Sequence, residues 1–166
     1  DSACKVNSNS LVIRVIPPIQ NVLLTPGDTL CQGQMPINFN ELAETGGAGT
    51  GSYTYLWQTK IDFGGTWTPA STQVMANNLA SYQSPGIDEE NSTFFRRIVT
   101  SHICQSTSNE IEVFAYRSVS KNTILGGAEQ YGCYKSSKTL NGDVPEGGIP
   151  GFNLFKYYWH SSADGV

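Results

Sequence analysis

Two segments of this chain occur twice, nearly a hundred residues apart, and that recurrence constrains the fold more than any other feature. Cys4-Lys5-Val6-Asn7-Ser8-Asn9-Ser10-Leu11-Val12-Ile13-Arg14-Val15 lines up with Cys104-Gln105-Ser106-Thr107-Ser108-Asn109-Glu110-Ile111-Glu112-Val113-Phe114-Ala115 at an offset of 100. Cys, Ser and Asn recur in place, and apolar residues recur at 11/111, 13/113 and 15/115. At an offset of 102, Cys31 meets Cys133, Val22-Leu23 meets Ile124-Leu125, and Tyr53, Tyr55 and Trp57 meet Phe155, Tyr157 and Trp159. Gly46-Gly47 meets Gly147-Gly148 with a one-residue slip. A period near a hundred residues is the length of one sandwich domain. The chain therefore divides into residues 1–18, the last strand of one repeat; 19–117, a complete repeat; and 118–166, the first half of a third. It opens at Asp1 without Met and stops in Ala163-Asp164-Gly165-Val166, a turn leading into a strand, so both ends read as cuts.

Inside the complete repeat the pattern is β. Ile19 to Leu24 is a first strand, stopped by the turn sequence Thr25-Pro26-Gly27-Asp28, and Ile37-Asn38-Phe39 is a second. Tyr53 to Thr59 alternates, with Tyr53, Tyr55 and Trp57 on one face. Asp62-Phe63-Gly64-Gly65 is a hairpin turn into Trp67. Phe94 to Thr100 and Glu110 to Tyr116 are two more strands, and Thr72 to Leu79 has room for a short helical turn. No stretch sustains a period of 3.6. The predicted class is all-β, as immunoglobulin-like antiparallel β-sandwich modules in tandem. Pro17-Pro18 stiffens one junction, and the other, around Arg117, has no proline. Trp57 is the expected core anchor, and Trp67, just past a hairpin, the more open tryptophan.

Composition removes whole classes of function. Charged residues are 14% and aromatics 11%, unlike a disordered tail or a coiled coil. No apolar run reaches the roughly 18 residues of a membrane helix. The net charge is −4 and the ten Lys and Arg are scattered, Arg96-Arg97 being the densest spot, so nucleic acid is not an expected partner. No nucleophile elbow, metalloprotease or EF-hand motif is present, and no enzyme is expected. Gly46 to Gly51 precedes a strand rather than a helix, so it is a flexible loop and not a phosphate cradle. Asp88-Glu89-Glu90 has oxygens for Ca²⁺ but reads as a solvated loop, and His102 and His160 read as surface residues. No metal or other cofactor is expected.

The four cysteines lack Cys-x-x-Cys spacing, which removes zinc-ribbon and thioredoxin-like readings. In the repeat register each module owns an early and a late cysteine. Cys31 and Cys104 are then the expected disulfide of the complete module, worth on the order of 4 kcal/mol for so long a loop. Cys4 and Cys133 lose their partners at the cuts. Such a bridge implies an oxidising compartment, and four reduced thiols in a cytosolic protein is the alternative.

Ser52 to Gln58, Gly64-Gly65-Thr66-Trp67-Thr68, Thr93 to Ser101 and Cys104 to Asn109 follow one family pattern in order. The chain resembles the immunoglobulin-like or PKD-like repeats of very large Bacteroidetes surface proteins, of which the SprB-type gliding-motility adhesins are examples. The resemblance implies export by the type 9 secretion system and an extracellular, outer-membrane-attached filament that serves gliding or attachment. Its partners would be neighbouring repeats of the same chain, and surface polysaccharide or other cell-surface proteins, without membrane insertion. It also implies O-glycosylation at Asp-Ser/Thr-apolar sites, here Ser2 and Thr29. Asn91-Ser92-Thr93 fits the N-glycan acceptor, which a bacterial source would not use. A carbohydrate-binding accessory module of a secreted polysaccharide-degrading enzyme is the alternative, and needs an exposed aromatic platform.

Overall fold

The computed structural model describes residue 4 and residues 8–88, 90–127, 129–148 and 155–161. The described chain is all-β, with nine strands in two sheets. β1 (Asp28–Cys31), β2 (Tyr53–Ile61), β3 (Thr68–Pro69), β4 (Ser92–Ser101), β5 (Cys104–Thr107), β6 (Ile111–Ser120) and β9 (Glu146–Gly148) form a seven-stranded sheet. Its order is β1-β6-β4-β2-β3, with β5 added to β4 and β9 to β6. β7 (Ile124–Leu125) and β8 (Asn141–Gly142) form a separate two-stranded ribbon.

β4 is the central strand, and its sequence suits that position. It pairs antiparallel with β2 on one side and with β5 and β6 on the other. Buried Phe95, Arg97, Val99 and Ser101 alternate with half-buried Arg96, Ile98 and Thr100 on the other face, while Ser92 to Phe94 are buried throughout. β6 has one covered face, and alternates buried Ile111, Val113 and Ala115 with more open Glu112, Phe114 and Tyr116. It runs parallel to β1 and continues unbroken to Ser120.

The inner face of the large sheet buries Trp57, Phe95, Ile111, Val113 and Ala115 against Leu23, Phe39, Tyr82 and Ile87. Phe39 touches the rings of Trp57, Tyr82 and Phe95 at centroid distances of 5.9, 6.2 and 4.9 Å. The covering layer is not a regular sheet. It is held by isolated bridges, Gln20↔Thr45, Leu23↔Glu41 and Phe39↔Tyr82. The expected closed immunoglobulin-like sandwich is therefore corrected to one large open sheet and a small ribbon with little contact between them. The predicted strands at 19–24 and 37–39 shrink to those bridges; the pairing slips by one residue between Gln20↔Thr45 and Leu23↔Glu41, which interrupts the ladder. Thr72 to Leu79 forms bends and turns without a helix.

The expected Cys31–Cys104 bridge is also corrected: all four cysteines are free thiols. Cys31 sits beside Tyr116, beyond the Phe114↔Ser92 pair that marks one end of β4, whereas Cys104 pairs Ser101 at the other end. A strand rises about 3.3 Å per residue, so the ten residues of β4 hold the two cysteines about 30 Å apart or more. A disulfide needs Cα atoms within roughly 7 Å. Similarity between repeats shows that the two cysteines recur, not that they meet. The inference of an oxidising compartment loses that support.

Candidate functional site

The most concentrated chemistry lies around Arg97. Arg96 and Arg97 point to opposite faces of β4. Arg96 is outside, stacked on Trp67 at 4.1 Å and donating to Gln58 Oε1 at 3.0 Å. Arg97 is inside and 0% exposed. Its Nε and Nη2 both donate to Asn21 Oδ1, at 3.1 and 2.9 Å, and its Nη1 donates to the Ala80 carbonyl at 2.7 Å. Nη2 lies 2.7 Å from Glu44 Oε1, and Nη1 3.7 Å from Glu41 Oε2. Nε and Nη2 thus share the Asn21 oxygen, Nη1 holds the Ala80 carbonyl, and Glu44 and Glu41 supply the counter-charge. Tyr55 and Trp57 flank the cation at 5.4 and 5.8 Å.

The backbone at Arg97 is held as firmly as the side chain. Asn21 Nδ2 donates to the Arg97 and Ser106 carbonyls, and the Arg97 N–H donates to Ser108 Oγ. The Tyr55 hydroxyl donates to Glu44 Oε2 at 3.4 Å. Burial, then the charge of Glu44, pushes the Tyr55 phenol above its ordinary value, while Arg97 pulls the other way. With its charge permanent and its side chain sealed from solvent, Arg97 has no proton to give a substrate. The centre clamps the covering layer onto the large sheet. Its sequence signal is an arginine in phase with buried Phe95 and Val99, with Asn21, Glu41 and Glu44 set among apolar segments.

A second feature is the placement of the chain at the two ends of the module. The chain enters beside the Ser101 end of β4, where the Gly47 N–H donates to the Pro17 carbonyl at 3.0 Å. Gly46 and Gly47 have φ of +83° and +58°, and a Cβ on Gly46 would lie 2.0 Å from the Pro18 oxygen. Gly46 and Gly47 are therefore a required close contact within the predicted flexible loop. The chain leaves along β6 at the opposite end, beyond Ser92.

There the same arrangement recurs. Arg117 pairs with Gly148, Gly147 and Gly148 have φ of +96° and +71°, and a Cβ on Gly147 would lie 2.2 Å from the Ser118 oxygen. Leu42 N–H donates to Val22 O, and Asp143 N–H to Thr123 O. Leu23 pairs with Glu41, and Ile124 with Gly142. Residues 117–148 thus repeat these backbone contacts of 17–47 at an offset of 101, one residue short of the sequence register that matches Leu23 to Leu125 and Trp57 to Trp159. This second frame is open. Ile124, Pro145, Phe155, Tyr157 and Trp159 border a groove of about 650 Å³. Trp159 is 55% exposed where Trp57 is 0%. At the other end of the chain, residues 8–18 carry no strand, and Leu11, Val12, Ile13 and Val15 are exposed.

The remaining residues singled out by sequence are dispersed. Thr29 is exposed on β1 and its N–H donates to Asp28 Oδ1. Ser2 lies outside the described residues. Trp67 is half-buried, with Lys60 at 4.6 Å and Arg96 at 4.1 Å over its ring, so cations occupy the surface a sugar would stack on. Asp88 and Glu90 are exposed, Glu90 pairs with Arg117, and Glu89 lies outside the described residues. His102 and His160 are exposed and in different parts of the chain. Among the described residues no cluster of three or more His, Cys, Asp or Glu has metal-binding geometry, and no helix is long and apolar enough to cross a membrane.

Residues 22–116 match the family model described as "Domain of unknown function (DUF8696)". No curated protein and no solved structure matches the chain. The match spans more than half of the chain, which therefore belongs to the DUF8696 family.

Proposed function

We propose that this chain is a structural and adhesive segment of a long, repetitive, secreted cell-surface adhesin of the SprB type, serving gliding or surface attachment. The observation that carries the reading is the recurrence, about a hundred residues on, of the contacts made by 17–47, combined with a chain that enters a module at one end and leaves at the other. Modules with that polarity extend when joined and do not fold back, which gives a filament reach. The low charge keeps its surface sparsely charged, and no cofactor is needed. Arg97, Trp57 and the glycine pair are then structural residues that keep each module in shape under load.

The test is an antibody raised against residues 19–117. The expected result is labelling of intact cells, a band far larger than 18.0 kDa, and loss of surface attachment when its Fab fragments are added. A signal confined to the cytosolic fraction would overturn the proposal. The carbohydrate-binding alternative is weakened by the cations stacked on Trp67. A glycan array with the purified chain separates it, since sugar binding lost in Trp67→Ala would favour it.

A further inference from the structure

We infer that the cavity between the Ile61 end of β2 and the segment 82–88 is a binding site for one neutral sugar residue. Such a site goes beyond the adhesive reading and would serve a chain in any other role. The side chains that line the cavity all come from residues 59–95, inside the complete module. The period of two that puts Trp57 in the core continues to Thr59 and Ile61, and on β4 it puts Thr93 and Phe95 on the same face. Phe95 lies across from Thr59, and Thr93 across from Ile61. Phe95 and Tyr82, whose rings lie 6.2 Å apart, form the core side of a space of about 320 Å³. Its roof is fixed. The Ile87 N–H donates to the Gln34 carbonyl at 3.1 Å, the Gly33 N–H to the Ile87 carbonyl at 2.8 Å, and the Tyr82 hydroxyl to the Ser71 carbonyl at 2.8 Å. The space is therefore formed before any ligand arrives.

Two hydroxyls point to the ligand. Thr59 Oγ1 and Thr93 Oγ1 both line the cavity, are shielded from solvent, and find no hydrogen-bond partner among the described residues. Thr93 is only 5% exposed. A buried hydroxyl without a partner is destabilising, so two of them on one cavity call for a group that satisfies both. Ser84, on the same cavity, is already satisfied, its Oγ donating to the Pro85 carbonyl at 3.0 Å. A hydroxyl both donates and accepts, and the group that matches it in both senses is another hydroxyl. Among the described residues no lysine, arginine or histidine lines the space, so an anion would lack a counter-charge there. Asp88, exposed at the edge of the cavity, adds acceptor oxygens. Ile61, Ile87 and Phe95 supply apolar walls. A pyranose meets these demands together, with C–H groups on its ring faces and hydroxyls around its rim. The volume is at the low end for ligand cavities and has room for one ring, not a chain of them. Lys60, Trp67 and Arg96 lie on the opposite face of the sheet, so this site is not the aromatic platform of the carbohydrate-module alternative.

The experiment is an NMR titration of the full chain, labelled at its threonine and isoleucine methyl groups, with D-glucose, D-galactose, D-mannose, L-fucose and N-acetylglucosamine. The expected result is saturable movement of the Thr59, Thr93 and Ile61 signals by at least one of these sugars, with a dissociation constant of roughly 1–10 mM. Thr59→Val and Thr93→Val keep the shape of the side chain and remove the hydroxyl. Each should weaken binding about tenfold, with a urea midpoint no lower than that of the wild type. Ile61→Trp, at an exposed position, should plug the cavity and abolish binding, whereas Trp67→Ala should leave binding unchanged. Signals that none of the sugars moves at about 100 mM would overturn the inference. Binding that survives Thr93→Val and Ile61→Trp, or that is lost in Trp67→Ala, would overturn it too. So would a lowered midpoint in both valine variants, which would mean that the hydroxyls already hold internal water. None of these outcomes bears on the filament reading, which the antibody decides separately.

Discussion

Trp57 and Trp159 occupy matching places in two copies of one sequence pattern, yet one is sealed in a core and the other stands half in water. The backbone frame is not what separates them. The glycine pair, the Leu42–Val22 hydrogen bond and the bridge at Leu23 all recur at 117–148. The difference is the partner strands. β2 and β4 place Trp57 opposite Arg97 and under Phe39, whereas the described residues around Trp159 include no strand in the place of β4. Local turn geometry is thus set by short stretches of sequence, while a core forms only when a sheet encloses it.

That contrast is open to attack in order of expected effect. Trp57→Ala should destabilise the protein by about 3–5 kcal/mol, and Trp159→Ala by less than about 0.5 kcal/mol, both read from urea midpoints. Equal effects would mean that the second frame carries a core of its own. Arg97→Met should cost about 3–5 kcal/mol, because Glu44 and Glu41 keep their charge without the cation. Adding Glu44→Gln should recover part of that loss. Asn21→Ala should cost roughly 1–3 kcal/mol by orphaning Arg97 donors, while Asn122→Ala, at the matching position, should leave the midpoint unchanged.

Smaller effects sharpen the same comparison. Gly47→Ala places a methyl 2.6 Å from Ser101 Oγ at positive φ and should cost about 1–3 kcal/mol. Gly148→Ala meets nothing closer than 3.7 Å and should cost only the backbone term, about 1 kcal/mol. The smallest effect is with pH. Burial raises the Tyr55 and Tyr82 phenols above the ordinary value of 10.0. The folded state then holds protons that the unfolded chain has lost, so stability is intact below pH 10 and falls above it. Tyr55→Phe should flatten that decline, as followed by urea midpoints from about pH 9 to about pH 11, roughly one unit either side of the ordinary tyrosine value.

Much of the large sheet was legible because its strands announce themselves. β2 alternates, β4 carries apolar Phe94, Phe95, Ile98 and Val99 on either side of its arginines, and the Asp62 to Gly65 turn has the residues a tight turn requires. β1 and β5 were missed: each is four residues long and polar, and is held by a neighbour rather than by its own pattern. The Arg97 centre was legible only in part. A period of two puts Arg97 inward, but no local rule connects it to Asn21, Glu41 and Glu44, which arrive from other segments. The cysteine pairing failed for a related reason. Recurrence fixes which residues correspond between repeats, while the distance from Cys31 to Cys104 depends on which end of β4 each one reaches.

The exit of the chain along β6 has a mechanical consequence. Tension applied at Ser120 runs along the axis of that strand, which lies between parallel β1 and antiparallel β4. Its interstrand hydrogen bonds stand across the line of pull, so they are sheared together and do not open one by one as in a zipper. A module held this way resists extension through geometry alone, without a covalent crosslink, and yields only when a whole row of bonds gives way at once.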